Sequence, residues 1–227
     1  MVRVPARRRR AFQRRLLAWY RRSRRDLPWR RTRNPYHVLV SEIMLQQTQV
    51  ARVVPKYREW LTRYPSIEAL ARAGAREVRE AWYPLGYNAR PLRLRDIARA
   101  ALRRHRGRIP QTREELLALK GIGPYTAGAV LSFAFGRDEP VLDTNVRRVL
   151  RRVFLGEAAR PADRALWDLA AALLPRGRAY DFNQALMDLG ATVCTARRPG
   201  CRACPLARLC VSYPLAAGAA PQNPVTW

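Results

Sequence analysis

Apolar residues recur every three or four positions along most of this chain, and arginines fill the faces between them. Phe12, Leu16, Trp19 and Tyr20 share one face of a helix predicted from Ala11 onward. The ten residues before it read as a basic arm, disordered in isolation. The prolines of LPWRRTRNP (27–35) then break the helical pattern. Further helices are predicted over 35–46, 48–63, 66–71, 75–82, 88–105, 112–119, 124–135, 144–155, 163–174 and 181–193. Pro65, Gly86, Pro110, Gly121, Gly123 and Gly136 punctuate them. Period-two alternation bounded by hairpin turns is missing, so the expected fold class is all-α.

Composition narrows the partners. The chain of 227 residues carries 44 lysines and arginines against 17 acids, a net charge of +27. Such a field attracts polyanions and displaces their counterions, although an arginine-rich composition also follows from a GC-rich genome. The longest apolar stretch, Ala127–Phe135, falls well short of the ~20 residues that span a bilayer. No apolar core followed by a cleavage site marks a secretory signal. The expectation is a soluble, intracellular protein that binds nucleic acid and no membrane.

All four cysteines, Cys194, Cys201, Cys204 and Cys210, fall in the spacing C-x6-C-x2-C-x5-C. Four thiolates this close can satisfy a [4Fe–4S] cluster or a zinc ion, the cluster ahead of zinc; disulfides are the alternative.

Three other places can carry chemistry. LLALKGIGPYTAGAV joins two helices through Gly121, Ile122 and Gly123. The glycines allow a tight turn, the isoleucine pins it to the core, and the next helix offers its first amides to a phosphate. Lys120 suits the same contact, though any helical hairpin can use two glycines. Asp143, in PVLDTNVRRVL, is placed to cap the following helix and could equally face a nucleotide sugar. Glu42 lies among Val38, Leu39, Val40, Ile43, Met44 and Leu45. A carboxyl there is either paired with an arginine or shifted toward its protonated, general-acid form. Gln46 and Gln47, in QQTQ, can reach base edges or form a solvated turn.

Together these segments resemble the helix-hairpin-helix DNA glycosylases related to endonuclease III. LPWR, SEIMLQQTQV, LGYNAR, LKGIGPYTAGAV, LDTNVRRVL and FNQALMDLGATVC resemble the MutY-type adenine glycosylases, over residues 11–212. The resemblance implies two helical lobes: 1–32 with 143–212 around the iron–sulfur loop, and a six-helix lobe at 33–142 containing the hairpin at 112–135, with 213–227 a tail. It implies a double-stranded DNA substrate with a mismatched or damaged pair, and a base flipped into a groove between Glu42 and Asp143. Glu42 would protonate the adenine ring and Asp143 would stabilise the sugar cation. Tyr125 and Asn145 would complete the pocket, Arg30 and Gln184 would contact the adenine, and Gln47 and Tyr87 would wedge into the duplex. Superfamily members that also cut the backbone carry a lysine where Tyr125 stands, so the expected enzyme is a monofunctional, monomeric glycosylase.

Two features depart from the pattern. The seventeen residues after Cys210 are too few for the C-terminal domain with which MutY-type enzymes read 8-oxoguanine. Asn88 also stands where a second aromatic is usual. Rival readings are a thymine or uracil glycosylase acting opposite guanine, and a non-catalytic, structure-specific DNA binder.

Overall fold

The computed structural model describes residues 4–214. Its helices are α1 (Ala6–Ser23), α2 (Pro35–Leu45), α3 (Val50–Arg63), α4 (Ile67–Arg72), α5 (Ala75–Trp82), α6 (Ala89–His105), α7 (Arg113–Leu117), α8 (Pro124–Phe133), α9 (Thr144–Leu150), α10 (Asp163–Leu173) and α11 (Ala179–Thr192). No strand occurs among the described residues, as the periodicity predicts. None of their helices is long and apolar enough to cross a membrane.

The chain forms two compact units, residues 26–137 and residues 1–25 with 138–227. These boundaries differ from those expected at 32/33 and 142/143. Trp29 packs edge-on against Tyr57 at 5.5 Å, which ties the segment after Asp26 to the middle unit. Asp138 accepts from the Gly177 amide and the Glu139 carbonyl accepts from Asn183, which ties 138–142 to the terminal unit. The middle unit holds the seven helices that the periodicity predicts, α2–α8, one more than the six-helix lobe that the resemblance implies.

In the middle unit, α2 is apolar on every face and packs against α3, α6 and α8. Asn34 caps it by accepting from the Tyr36 amide at 2.9 Å, and Pro35 occupies the first turn. Val38, Leu39, Val40, Ile43 and Met44 are all buried. At about 1.5–3 kcal/mol for each large side chain, this burial leaves α2 little freedom to shift. Trp60 sits edge-on to Trp82 at 5.3 Å and to Tyr64 at 4.8 Å, filling the space between α3 and α5.

The terminal unit packs α1, α9, α10 and α11 around Phe12, Leu16, Val146, Val149, Leu169, Phe182 and Leu189. Its first turn corrects the sequence reading. Arg7–Arg10 belong to α1 within the fold, and residues 1–3 of the expected arm lie outside the described residues. Arginine is a good helix former, and Arg8 has fixed partners. Its guanidinium donates to the carbonyls of Val153 (3.0 Å) and Leu209 (2.9 Å) and stacks 5.0 Å from the Phe154 ring. At the other end of α1, Arg25 pairs with the fully buried Asp188 at 2.6 Å. α9 continues into a wider helical turn at Arg151–Leu155. Of the tail expected at 213–227, residues 215–227 lie outside the described part of the chain.

Candidate active site and metal centre

In the middle unit, Glu42 sits in the rigid interior of α2 and is 2 % exposed. The Tyr125 hydroxyl, from the first turn of α8, donates to its Oε2 at 2.6 Å. Two residues singled out 83 positions apart are thus one hydrogen-bonded pair.

The hairpin ahead of α8 takes the shape its glycines suggest. Gly121 has φ +101°, a backbone that side chains rarely adopt, and a Cβ there would press on Arg93 at 3.3 Å. Gly123 has an ordinary φ but open space on its Cβ side. Ile122 is buried and Lys120 is exposed beside the turn. α8 starts at Pro124 after an exposed turn, so the amides of its first turn have no partner within the helix.

Gln46 and Gln47 follow the end of α2, and Tyr87 precedes α6. Gln47 (φ 54°) and Tyr87 (φ 50°) are left-handed residues other than glycine, a conformation costing about 1–2 kcal/mol each. Gln47 is exposed and Tyr87 is 61 % exposed. Arg90, 4 % exposed, lies beneath both turns. Arg30 is half-buried in the single turn Pro28–Arg30. A cavity of about 310 Å³ beside Tyr36, Glu68 and Arg108 is lined by none of these residues.

In the terminal unit Asp143 caps α9, accepting from the Val146 amide at 2.7 Å. Its other oxygen accepts from the Asn145 side chain at 3.1 Å. Loss of surrounding water pushes the Asp143 pKa up, while the Val146 amide, the Asn145 amide group and Arg148 pull it down. Arg148 continues the chain of contacts, donating at 2.7 Å to Asn145 Oδ1, the Gly190 carbonyl and the Cys194 carbonyl. Burial holds its guanidinium below the usual arginine value. α11 approaches Asn145 so closely that a Cβ on Gly190 would sit 2.6 Å from that of Asn145. Gln184, also on α11, is buried.

The four cysteines are free thiols lining one apolar cavity with Val149, Val153, Leu189 and Val193. This cavity leaves room for only about 20 Å³ on the measure that gives 310 Å³ beside Tyr36. Burial pushes the Cys204 thiol up to about 11 and raises Cys210 as well. Arg152, 3 % exposed, donates to Cys194 Sγ at 3.6 Å and to the Thr195 carbonyl at 2.7 Å. Among the described residues, no three His, Cys, Asp or Glu side chains close on a point as a single metal ion requires.

Residues 40–172 match the family described as HhH-GPD superfamily base excision DNA repair protein. The chain belongs to that superfamily. It is 50 % identical to the adenine DNA glycosylase of Mycolicibacterium smegmatis, over 84 % of this chain and 66 % of that protein. It is 42 % identical to the thymine/uracil-DNA glycosylase of Pyrobaculum aerophilum, over 89 % of this chain and 91 % of that protein. Its fold matches the solved structure of a thermostable thymine-DNA glycosylase with a TM-score of 0.86 at 36 % identity, covering 91 % of this chain and 97 % of that one. The chain therefore spans just under two thirds of the mycobacterial adenine relative, and about two fifths of the mammalian ones.

The sequence reading missed Arg90 and Arg152, both buried, and the half-buried Arg148. Arg148 was within reach, because it lies one helical turn from Asn145 on the face that Asp143 starts. Nothing separates Arg90 from the other arginines of so basic a chain.

Proposed function

We propose that this protein is a monofunctional DNA N-glycosylase of base excision repair, acting as a monomer on double-stranded DNA and removing adenine opposite guanine or 8-oxoguanine. The observation that carries this reading is the Tyr125–Glu42 hydrogen bond of 2.6 Å. It places a buried acid against a hydroxyl, at the position where backbone-cutting relatives carry an amine. Glu42 delivers its proton to a ring nitrogen of the flipped base. The bond from sugar to base then breaks and neutral adenine leaves. The Asp143 carboxylate, held by Val146 and Asn145, stabilises the positive charge left on the sugar until water adds. Gly121–Gly123 and Lys120 hold a phosphate, Arg30 and Gln184 contact the adenine, and Gln46, Gln47 and Tyr87 meet the duplex.

Cys194, Cys201, Cys204 and Cys210 would hold a [4Fe–4S] cluster, each thiol losing its proton on binding. The four thiols line one apolar cavity, and Arg152 offers a cation beside Cys194. Bound there, the cluster would cross-link the loop and take no part in hydrolysis. Brown colour with matching iron and sulfide contents would support it; stoichiometric zinc would exclude it.

A second reading, removal of thymine or uracil opposite guanine, is favoured by the nearly full-length match to the Pyrobaculum relative. Duplexes containing A opposite 8-oxoguanine, A opposite G, T opposite G and U opposite G, treated with enzyme and then alkali, decide between them. The proposed activity cuts the adenine lanes only, and Glu42→Gln and Asp143→Asn abolish the cutting. Cutting confined to T and U establishes the second reading. Binding without cutting in every lane leaves a structure-specific DNA binder. A covalent adduct trapped by borohydride at turnover levels would refute the monofunctional assignment.

A further inference from the structure

Arg90 is the most heavily engaged side chain of the middle unit. One terminal nitrogen donates to the carbonyls of Ile43 (3.2 Å), Met44 (3.0 Å) and Gln46. The other donates to Thr48 Oγ1 (3.1 Å) and to the carbonyls of Leu85 and Gly86 (3.2 Å each). The guanidinium carbon lies 5.2 Å from the ring centres of both Trp82 and Tyr87. The acceptors belong to two turns more than 30 residues apart in sequence, at 43–48 and 85–86.

We infer that Arg90 is a positioning residue that locks Gln47 and Tyr87 into one fixed arrangement for entering a duplex. The inference rests on the proposed reading, in which these two side chains meet the DNA. The geometry behind it is specific. A peptide plane sets the φ of the residue that follows it. The Gln46 carbonyl belongs to the peptide leading into Gln47, and the Gly86 carbonyl to the peptide leading into Tyr87. Arg90 donates to both carbonyls at once, sharing that of Gly86 with Trp82 Nε1 at 3.0 Å, and both following residues have left-handed backbones. Its stacking on the Tyr87 ring fixes that side chain as well. The Ile43 and Met44 carbonyls are unpaired helix-end acceptors of α2. Arg90 therefore refers both turns to the helix that carries Glu42.

Only a guanidinium can do this. Its planar fork spans acceptors on two sides, whereas a lysine presents three donors around a single point. A residue that merely capped α2 would need neither the Gly86 carbonyl nor the Tyr87 ring.

The test uses the full chain and a duplex with an A opposite G, with 2-aminopurine beside the target as a reporter of unstacking. Arg90→Lys, Thr48→Val and Gln47→Ala/Tyr87→Ala are compared with the wild type at saturating DNA. Thermal melting and DNA affinity are measured in parallel. Arg90→Lys should lower the fluorescence rise per bound complex at least 5-fold, with affinity changed less than 3-fold. Thr48→Val, which loses one acceptor, should lower it about 2-fold and stands in if Arg90→Lys does not fold. A merely structural role would lower melting or affinity and leave the rise per bound complex intact, overturning the inference. A normal rise in both single variants, with loss in the double variant, would also overturn it. A normal rise in the double variant, or none in the wild type, would refute the underlying reading and the inference with it.

Discussion

Replacing Arg148 by methionine keeps most of the side-chain volume and removes three charge-assisted hydrogen bonds of 2.7 Å, to Asn145, Gly190 and Cys194. Each such bond is worth about 1.5–3 kcal/mol in isolation, and breaking a buried charged network costs about 3–5 kcal/mol. Arg148 is partly exposed, so water recovers some of that loss and about 3 kcal/mol remains. In a chain of this size each kcal/mol lowers Tm by about 2–4 °C, which gives a drop of about 6–12 °C. Asn145 also loses the contact that aims its amide at Asp143, so single-turnover excision should fall about 10-fold at a temperature where the variant is folded. Arg148→Lys should lie between the two. Calorimetry and rapid-quench kinetics on the same preparation give both numbers. A Tm within 2 °C of the wild type would refute the packing argument. A lowered Tm with an unchanged rate would show that the contacts from Cys194 to Asp143 support the fold and not the site.

Tyr125→Phe removes one hydrogen bond to Glu42 without changing shape, and single-turnover excision should fall about 10-fold with little change in melting. The Asp143 pKa is raised by desolvation, so activity that needs its carboxylate should rise with pH through a value above the ordinary aspartate range. Asn145→Ala removes a hydrogen bond that lowers this pKa and should move the rising limb to higher pH. For the same reason, the contribution of Asp143 to stability is complete below its unfolded pKa and is lost as pH climbs through the raised one. Gly190→Ala forces a Cβ into Asn145 at 2.6 Å and should destabilise the chain by about 1–3 kcal/mol, measured by urea unfolding.

Much of the fold was legible because helix periodicity is local. The buried sequence around Glu42 announced a helix with no solvent face, and Gly121-Ile122-Gly123 announced the hairpin. Proline and glycine punctuation placed most helix ends within a few residues. The misreadings share one cause: arginine is ambiguous. A run such as Arg7–Arg10 reads as a solvated arm until the carbonyls that hold Arg8 are known, and those lie near the opposite end of the sequence. Arg90 and Arg148 act in the same way, through carbonyls whose positions no local pattern reveals. The Glu42–Tyr125 bond was foreshadowed only by resemblance, since no spacing rule links residues 83 apart.

The grip of Arg8 on Leu209, 201 residues away, has a bearing on biosynthesis. A ribosome releases the chain from the amino end, so residues 26–137 can be fully assembled while the first helix still waits for its acceptors. That helix, with Phe12 and Leu16 uncovered, has no core to join until α9, α10 and α11 have emerged, and Arg8 meets Leu209 later still. Its dense arginines make the waiting segment self-repelling, which opposes its association with other nascent chains.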